Sequence, residues 1–401
     1  MKKNYVFRTI LTIVITAIIT FSITYICIYA KKGGSNLQSG SAITSMYSDA
    51  TNSKLKVIKD KINSEYVGNV DENALQEYAI KGYVAGLNDI YSEYFTKDEM
   101  TDFSNETIGT YVGIGVTMTK DSEKNQIVVY GVTPNSPAEE AGIKVNDIII
   151  KVDGNDCTGD DFETIPNKIL GQEGTKVSVT VLRDGKELTF DMKRRKIVNQ
   201  TITSELLDDN IGYIYLSSFE DNTYEQFKSA YDDLISKGAK SLIVDLRNNG
   251  GGIVKEATDI GDLFTDKGKV LLIESDKDKK EIKTYSKQDK TINMNVVLLV
   301  NEYSASASEI LAGILKDDVE NATIVGTKTY GKGVIQSLYT LSDGSGLKLT
   351  TDEYFTPNHN EINKIGITPD EIVEGYKFSG KLDKENDTQL KKAIELLKQK
   401  N

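Results

Sequence analysis

Ser306 sits in Ser304-Ala-Ser-Ala-Ser-Glu309, after an apolar, β-branched run, Val296 to Val300, and before a helical pattern that begins at Ile310. Further on, Lys332 stands between Gly331 and Gly333, and Gln336 follows in a stretch, Val334 to Leu341, that reads as a strand. A serine hydroxyl is a weak nucleophile until a neighbouring base takes its proton. The chain has a single His, His359, set between Asn358 and Asn360 in a polar stretch, which argues against a His base. A lysine serves only when neutral, so burial would have to bring its pKa from about 10.4 towards roughly 7 to 8, a cost of about 4 kcal/mol. Glycines on both sides of Lys332 would let its backbone pass through an enclosed place. Gln336 could accept a hydrogen bond from the amine and aim it without adding charge, whereas an Asp there would raise the lysine pKa.

The elements that must position these groups are a buried strand, a tight turn and a helix. A serine at the mouth of such a helix lies in the positive field of its N-terminus, among N–H groups without intrahelical partners, where an oxyanion could be held. Ser306 to Glu309 also spells a capping box, in which the serine only satisfies an N–H. Asp245-Leu-Arg-Asn-Asn-Gly-Gly-Gly252 is a glycine loop that leads into a second helical pattern. It has the raw material of a phosphate cradle but lacks the G-x-x-x-x-G-K-[ST] pattern such a cradle needs.

Ser-Ala-Ser-Ala-Ser-Glu followed by Thr329-Tyr-Gly-Lys-Gly-Val-Ile-Gln336 resembles the active-site signature of the carboxyl-terminal processing (tail-specific) serine peptidases, which use a Ser–Lys pair. The resemblance implies Ser306 as nucleophile, Lys332 as base and Gln336 as third member. It also implies an oxyanion hole from the N–H of Gly252, or a neighbour, and that of Ala307. Asp245 and Arg247 are expected to fix the loop. Thr356 to Asp370 resembles the family's closing motif with His359 in a glycine position, where it reads as an exposed loop residue.

With 401 residues the chain is long enough for two or three domains. Lys plus Arg of 48 against Asp plus Glu of 60 gives a net charge of −12, which disfavours nucleic acid as a partner. Two cysteines, Cys27 and Cys157, assemble neither a disulfide framework nor a Cys/His metal cage, and no cofactor is expected. Lys2, Lys3 and Arg8 precede an uncharged run from Thr9 to Ala30, about the 20 residues a membrane-spanning helix needs. No small-x-small cleavage pattern follows it. The heavier basic flank precedes the run, which places the bulk of the chain outside the cytoplasm. Residues 32–52 then read as a Gly/Ser/Asn-rich flexible linker.

Leu55, Ile58, Ile62 and Tyr66, then Leu75, Tyr78, Ala79, Tyr83 and Leu87, recur at helical spacing. Ala79 to Tyr94 resembles the helical segment ahead of the PDZ domain in this family, a segment that helps relatives dimerise. Its Leu87-Asn-Asp-Ile-Tyr-Ser-Glu-Tyr94 lacks the proline and histidine of the usual L-D-P-H-S-x-Y and reads as a structural turn. From Gly109 the texture changes to short strands and turns. Tyr111-Val-Gly-Ile-Gly-Val116, Val132 to Gly142 and Asp147 to Gly154 resemble a PDZ domain of the bacterial protease type. There Gly113, Ile114, Gly115 and Val116 would bind a peptide carboxylate, the adjoining strand would lend its edge to the peptide, and a helix from Asp161 to Leu170 would wall the groove. Leu170 replaces an arginine that many relatives use as a switch.

The alternation of strand-like and helix-like segments from Ile211 onward argues α/β layering. The run Glu274 to Lys290 reads as a solvated hairpin or exposed loop. Asp387 to Lys400 reads as an amphipathic helix whose Leu390, Ala393, Leu396 and Leu397 would pack on the N-terminal helices or on a second subunit. The expected fold is multidomain α+β with a crotonase/Clp-protease-like α/β peptidase core: a tip and anchor (1–31), linker (32–52), helical dimerisation segment (53–108), PDZ domain (109–195), peptidase core (196–378) and C-terminal helix (379–401). The expected activity is that of a membrane-anchored, homodimeric endopeptidase acting on protein or peptide substrates with a free C-terminus. A catalytically inactive PDZ scaffold, or acyl transfer on a thioester by a related crotonase-like core, are the alternatives.

Overall fold

The computed structural model describes residues 41–400 apart from 109, 122–123, 160–161, 163, 288 and 290. The chain divides into two compact units, residues 1–77 and 78–401. In the first, helix Ser41–Glu65 begins inside the stretch read as linker. Ile43, Met46, Tyr47 and Ala50 recur there at helical spacing, a periodicity obscured by the Gly/Ser-rich residues before it. Asp71 caps the next helix, Glu72–Ala85, accepting the N–H groups of Asn73 (3.0 Å) and Ala74 (3.1 Å). Leu55, Ile58 and Tyr66 are exposed. The expected anchor, 1–31, lies outside the described residues, and among the described residues no helix is long and apolar enough to cross a membrane.

In the second unit, strand Thr110–Gly113 pairs antiparallel with Arg195–Val198, so the chain enters and leaves a β-rich domain side by side. That domain is an antiparallel sheet ordered Val116–Asp121, Gln126–Val132, Ile148–Val152, Lys176–Arg183, Lys186–Lys193, with Asn155–Asp156 paired to the third strand. Alternate residues, including Ile127, Val129, Val177, Val179 and Val181, fill its core. Val116–Asp121 is an edge strand. The helix expected from 161 to 170 is shorter, Thr164–Ile169, and buries Ile165 and Ile169.

The core sheet runs Ile202–Leu207, Ile211–Leu216, Ser241–Asp245, Asn295–Val300, Ala322–Gly326, Glu371–Ile372, parallel after its first, antiparallel pair. Its central strands are continuous apolar runs because both faces are covered. One face packs on Phe227, Ile260, Ile310 and Leu311 from the crossover helices. Tyr213, Ile243, Val297, Leu299 and Val325 point to the other face, where Leu390, Ala393 and Leu397 of helix Thr388–Lys400 bury them. The apolar stripe of the C-terminal helix, expected to meet the N-terminal helices or a second subunit, is buried on the core sheet: a parallel sheet has a second apolar face that its own chain must cover.

A second sheet joins Glu93–Phe95, Gly346–Phe355, Val270–Asp276 and Glu281–Tyr285, with Val334–Thr340 also paired to Gly346–Phe355. The charged 274–290 run contributes the hairpin expected of it, with Ile282 and Tyr285 exposed.

Candidate functional site

Ser306 caps helix Ala307–Asp318 with φ 56° and ψ −116°, a conformation that costs a β-carbon residue about 1–3 kcal/mol and survives only where its surroundings enforce it. Its neighbours do the enforcing. Ser304 Oγ donates to the Leu246 carbonyl (2.8 Å), and Ser308 Oγ and the Ala305 N–H both reach the Asn249 carbonyl (2.9 and 3.1 Å). The flanking serines thus clamp the turn to the glycine loop through their side chains. Asn249, fully buried, also donates from Nδ2 to the Leu216 carbonyl (2.9 Å) and accepts the Gly251 N–H on Oδ1 (2.9 Å). It fastens the glycine loop to the Ser306 turn, a role the sequence reading missed although Asn249 stands inside the motif.

That loop abuts Ser306. A β-carbon on Gly251 (φ 104°) would come within 2.7 Å of Ser306 Cβ and 3.0 Å of the Ala307 nitrogen. One on Gly252 (φ 136°) would lie 2.1 Å from the Phe219 carbonyl oxygen, so neither position tolerates a side chain. Behind the loop, Arg247 is wholly buried, pairs with Asp245 (2.6 Å) and Asp387 (2.7 Å), donates to Gln389 (3.0 Å) and lies over the Phe378 ring at 4.1 Å. Asp245 and Arg247 lock the loop to the C-terminal segment.

Glu309 joins the two halves of the site. Its Oε2 accepts the N–H groups of both Ser306 and Lys332, each at 2.9 Å, so the two backbone nitrogens are no further apart than twice that distance. Its Oε1 accepts the Thr329 hydroxyl (2.6 Å) and the Gly331 N–H (2.7 Å). Burial raises the Glu309 pKa, and these four donors oppose the rise. The Tyr354 hydroxyl supplies a second pin, lying between the carbonyls of Ser306 (3.1 Å) and Lys332. The capping-box pattern announced the Ser306–Glu309 bond; nothing in the sequence announced that the same carboxylate holds the lysine loop.

Lys332 is half-buried, and its pKa is lowered, first by burial and then by the positive charge of Lys348, against the pull of Asp89 and Glu309. Its Nζ lies 4.6 Å from the ring centroid of Tyr91, and no hydrogen bond joins it to Ser306 or Gln336. Gln336 Nε2 donates instead to Thr350 Oγ1 (3.2 Å), at a bulge that shifts the register between Ile335 and Gln336. The expected amide-to-amine bond is absent: Lys332 lies ahead of strand Val334–Thr340, so no regular pleat aligns it with Gln336. The turn read as purely structural also takes part. Ser92 Oγ donates to Asp89 (2.6 Å) and accepts the Thr350 N–H (3.0 Å), which holds Tyr91 against Lys332. His359, at φ 64°, is exposed, pairs with Glu281 (2.7 Å) and lies tilted against the Phe355 ring, with centroids 4.6 Å apart.

In the β-rich domain, the Ile114 and Gly115 carbonyls accept the N–H groups of Ala138 and Thr133 (2.9 Å each). Gly115 (φ 82°) has no room for a side chain beside Ser136. Gly113 ends the entry strand and lies against Leu170, and Val116 begins the edge strand.

Residues 210–373 match peptidase family S41, 110–193 match a PDZ domain, and 13–99 match the activating protease CtpB N-terminal domain. The chain is 37% identical over 380 residues to the "Probable CtpA-like serine protease" of Staphylococcus aureus (strain COL), covering 94% of this chain and 74% of that one. It is 35% identical to the protein of the same name in Staphylococcus saprophyticus, over 93% and 74% of the two chains. A Bacteroides fragilis structure named as an S41 protease superposes with TM-score 0.51 at 18% identity, over 84% of this chain and 93% of that one, a likeness of fold. With its PDZ domain, its glycine loop against Ser306 and this kinship, the chain belongs to peptidase family S41 and is a serine peptidase.

Proposed function

We propose that the protein is a membrane-anchored endopeptidase that captures protein C-terminal tails in its PDZ groove and cuts them by a Ser–Lys mechanism. The observation that carries the catalytic part is the convergence of the Ser306 and Lys332 N–H groups on one oxygen of Glu309, beside the glycine loop. Neutral Lys332 takes the Ser306 proton as the hydroxyl attacks the scissile carbonyl, and the ammonium so formed then protonates the leaving nitrogen as the C–N bond breaks, returning the lysine to its neutral form. Gln336, with Nε2 spent on Thr350, keeps its carbonyl oxygen to aim the amine during attack. The tetrahedral oxyanion is held by the N–H of Ala307 at the helix mouth and that of Gly252, since Gly251 has given its own to Asn249. Water activated by the same lysine then releases the acyl-enzyme.

The PDZ groove is formed by Gly113, Ile114, Gly115 and Val116, by the edge strand Val116–Asp121 and by helix Thr164–Ile169. Leu170 in place of arginine removes that residue's switching role. The uncharged run from Thr9 to Ala30 anchors the chain with its bulk outside the cytoplasm. The exposed Leu55, Ile58 and Tyr66 support a homodimer through the N-terminal helices. Cleavage of an unstructured peptide tests this: Ser306→Ala and Lys332→Ala are expected to abolish it, and amidating the peptide's C-terminus to weaken binding. Wild-type turnover by the Lys332→Ala protein would overturn the mechanism.

A further inference from the structure

The Ser–Lys reading requires an uncharged amine, yet Lys332 Nζ rests on an aromatic face and bonds to neither Ser306 nor Gln336. Tyr91 comes from the turn between helix Glu72–Ala85 and strand Glu93–Phe95, far from Lys332 in sequence. The turn that carries it is tied to the sheet. The Tyr91 N–H donates to Asp89 (3.1 Å), and Asp89 is bound by Ser92, whose oxygen takes the Thr350 N–H from the strand that also holds Gln336. The Tyr91 hydroxyl lies near Tyr330, two residues before the lysine. Burial, and then that neighbouring phenol, push the Tyr91 pKa up to about 12, so at working pH Lys332 faces a neutral ring and not a phenolate.

We propose that the face of Tyr91 is the seat of the protonated Lys332 amine: a positioning residue that holds the ammonium away from Ser306 and releases it when the proton is lost. A ring quadrupole attracts an ammonium by about 0.5–2 kcal/mol, more as the pair is desolvated, and has no comparable attraction for a neutral amine. Lys332 is half-buried, so the contact falls between those limits. Deprotonation therefore removes the grip of the seat while creating the base that Ser306 needs. The charged and titratable groups around the amine are Asp89 and Tyr91 on the turn, Glu309 on the nucleophile helix, and Lys348 on strand Gly346–Phe355. Tyr354 bounds the same region, and burial raises its pKa, which keeps it neutral. Asp89 and Glu309 act on the amine's charge but do not fix its direction. Tyr91 does both.

This inference rests on the proposed Ser306–Lys332 mechanism, and its test separates the two. In the full chain, Tyr91→Phe and its mono-, di- and trifluorinated phenylalanine counterparts keep the ring's shape while weakening its quadrupole stepwise. The readout is the pH dependence of covalent labelling of Ser306 by a small fluorophosphonate, which needs no tail peptide. Tyr91→Phe is expected to leave the acid limb where it is in the parent. Each added fluorine is expected to move it to lower pH, by about half to one unit in total, as the charged form loses its partner. A limb that does not move with fluorination, in proteins whose melting matches the parent, overturns the seat and leaves the Ser–Lys reading intact. Failure of the parent protein to be labelled at Ser306 overturns both.

Discussion

Glu309→Gln keeps the shape of the side chain that joins nucleophile and base and changes one oxygen into a donor. On the Oε2 side the new NH2 would face two N–H groups, those of Ser306 and Lys332. On the Oε1 side it would face the Gly331 N–H and the Thr329 hydroxyl, and that hydroxyl already accepts the Ile367 N–H at 2.6 Å and can turn to accept again. The amide is therefore expected to place its NH2 on the Oε1 side and strand the Gly331 N–H, at about 1–3 kcal/mol. Removing a buried charge whose pKa burial has raised offsets part of this, so a net loss of about 1–2 kcal/mol is expected in urea denaturation. Gly331 immediately precedes Lys332, so the loop shifts the base, and kcat/KM on an unstructured peptide is expected to fall by about tenfold to a hundredfold. A variant with the parent's denaturation midpoint and kcat/KM would refute the view that this carboxylate holds the two halves together.

Charges around Lys332 should move the acid limb of kcat/KM in opposite directions. Lys348→Met removes a charge that lowers the Lys332 pKa and so shifts the limb to higher pH, and Asp89→Asn removes one that raises it and shifts the limb to lower pH, each by less than about one unit. Shifts of the same sign in pH–rate profiles would contradict this assignment. Gly251→Ala places a β-carbon within 2.7 Å of Ser306 Cβ at φ 104°, and is expected to eliminate fluorophosphonate labelling while PDZ peptide binding, read by calorimetry, persists. Arg247→Ala strands the buried carboxylates of Asp245 and Asp387, and chemical denaturation is expected to show a loss of about 3–5 kcal/mol. A loss below about 1 kcal/mol would mean the pairs contribute little beyond surface bridges.

The local chemistry was legible in the sequence because it is written in contiguous motifs. Ser304 to Glu309 and Asp245 to Gly252 each fold as one strand–turn–helix, and the apolar run after Met294 could only be a buried strand. The PDZ domain was legible for the same reason: its glycine turns and alternating strands are local. What escaped depends on contacts between distant segments. The contact of Lys332 with Tyr91 joins residues that precede two strands distant in sequence, Glu93–Phe95 and Val334–Thr340, brought together on either side of Gly346–Phe355, and the Gln336 bulge is set by pairing with that same strand, which no periodicity encodes. The C-terminal helix displayed its apolar stripe, but which surface it covers follows from the second face of a parallel sheet assembled from strands far upstream. Asn249 and Glu309 were visible as letters, and their several simultaneous bonds were not.

The central claim is that a neutral Lys332 activates Ser306. Site-resolved mass spectrometry of fluorophosphonate labelling in the parent and in Lys332→Met, across pH, tests it most directly. The account predicts labelling of the parent at Ser306, rising through one titration below the about 10.4 of a free lysine, and no labelling of Lys332→Met at any pH. Labelling of Lys332→Met at the parent's rate and with the parent's pH dependence would contradict it.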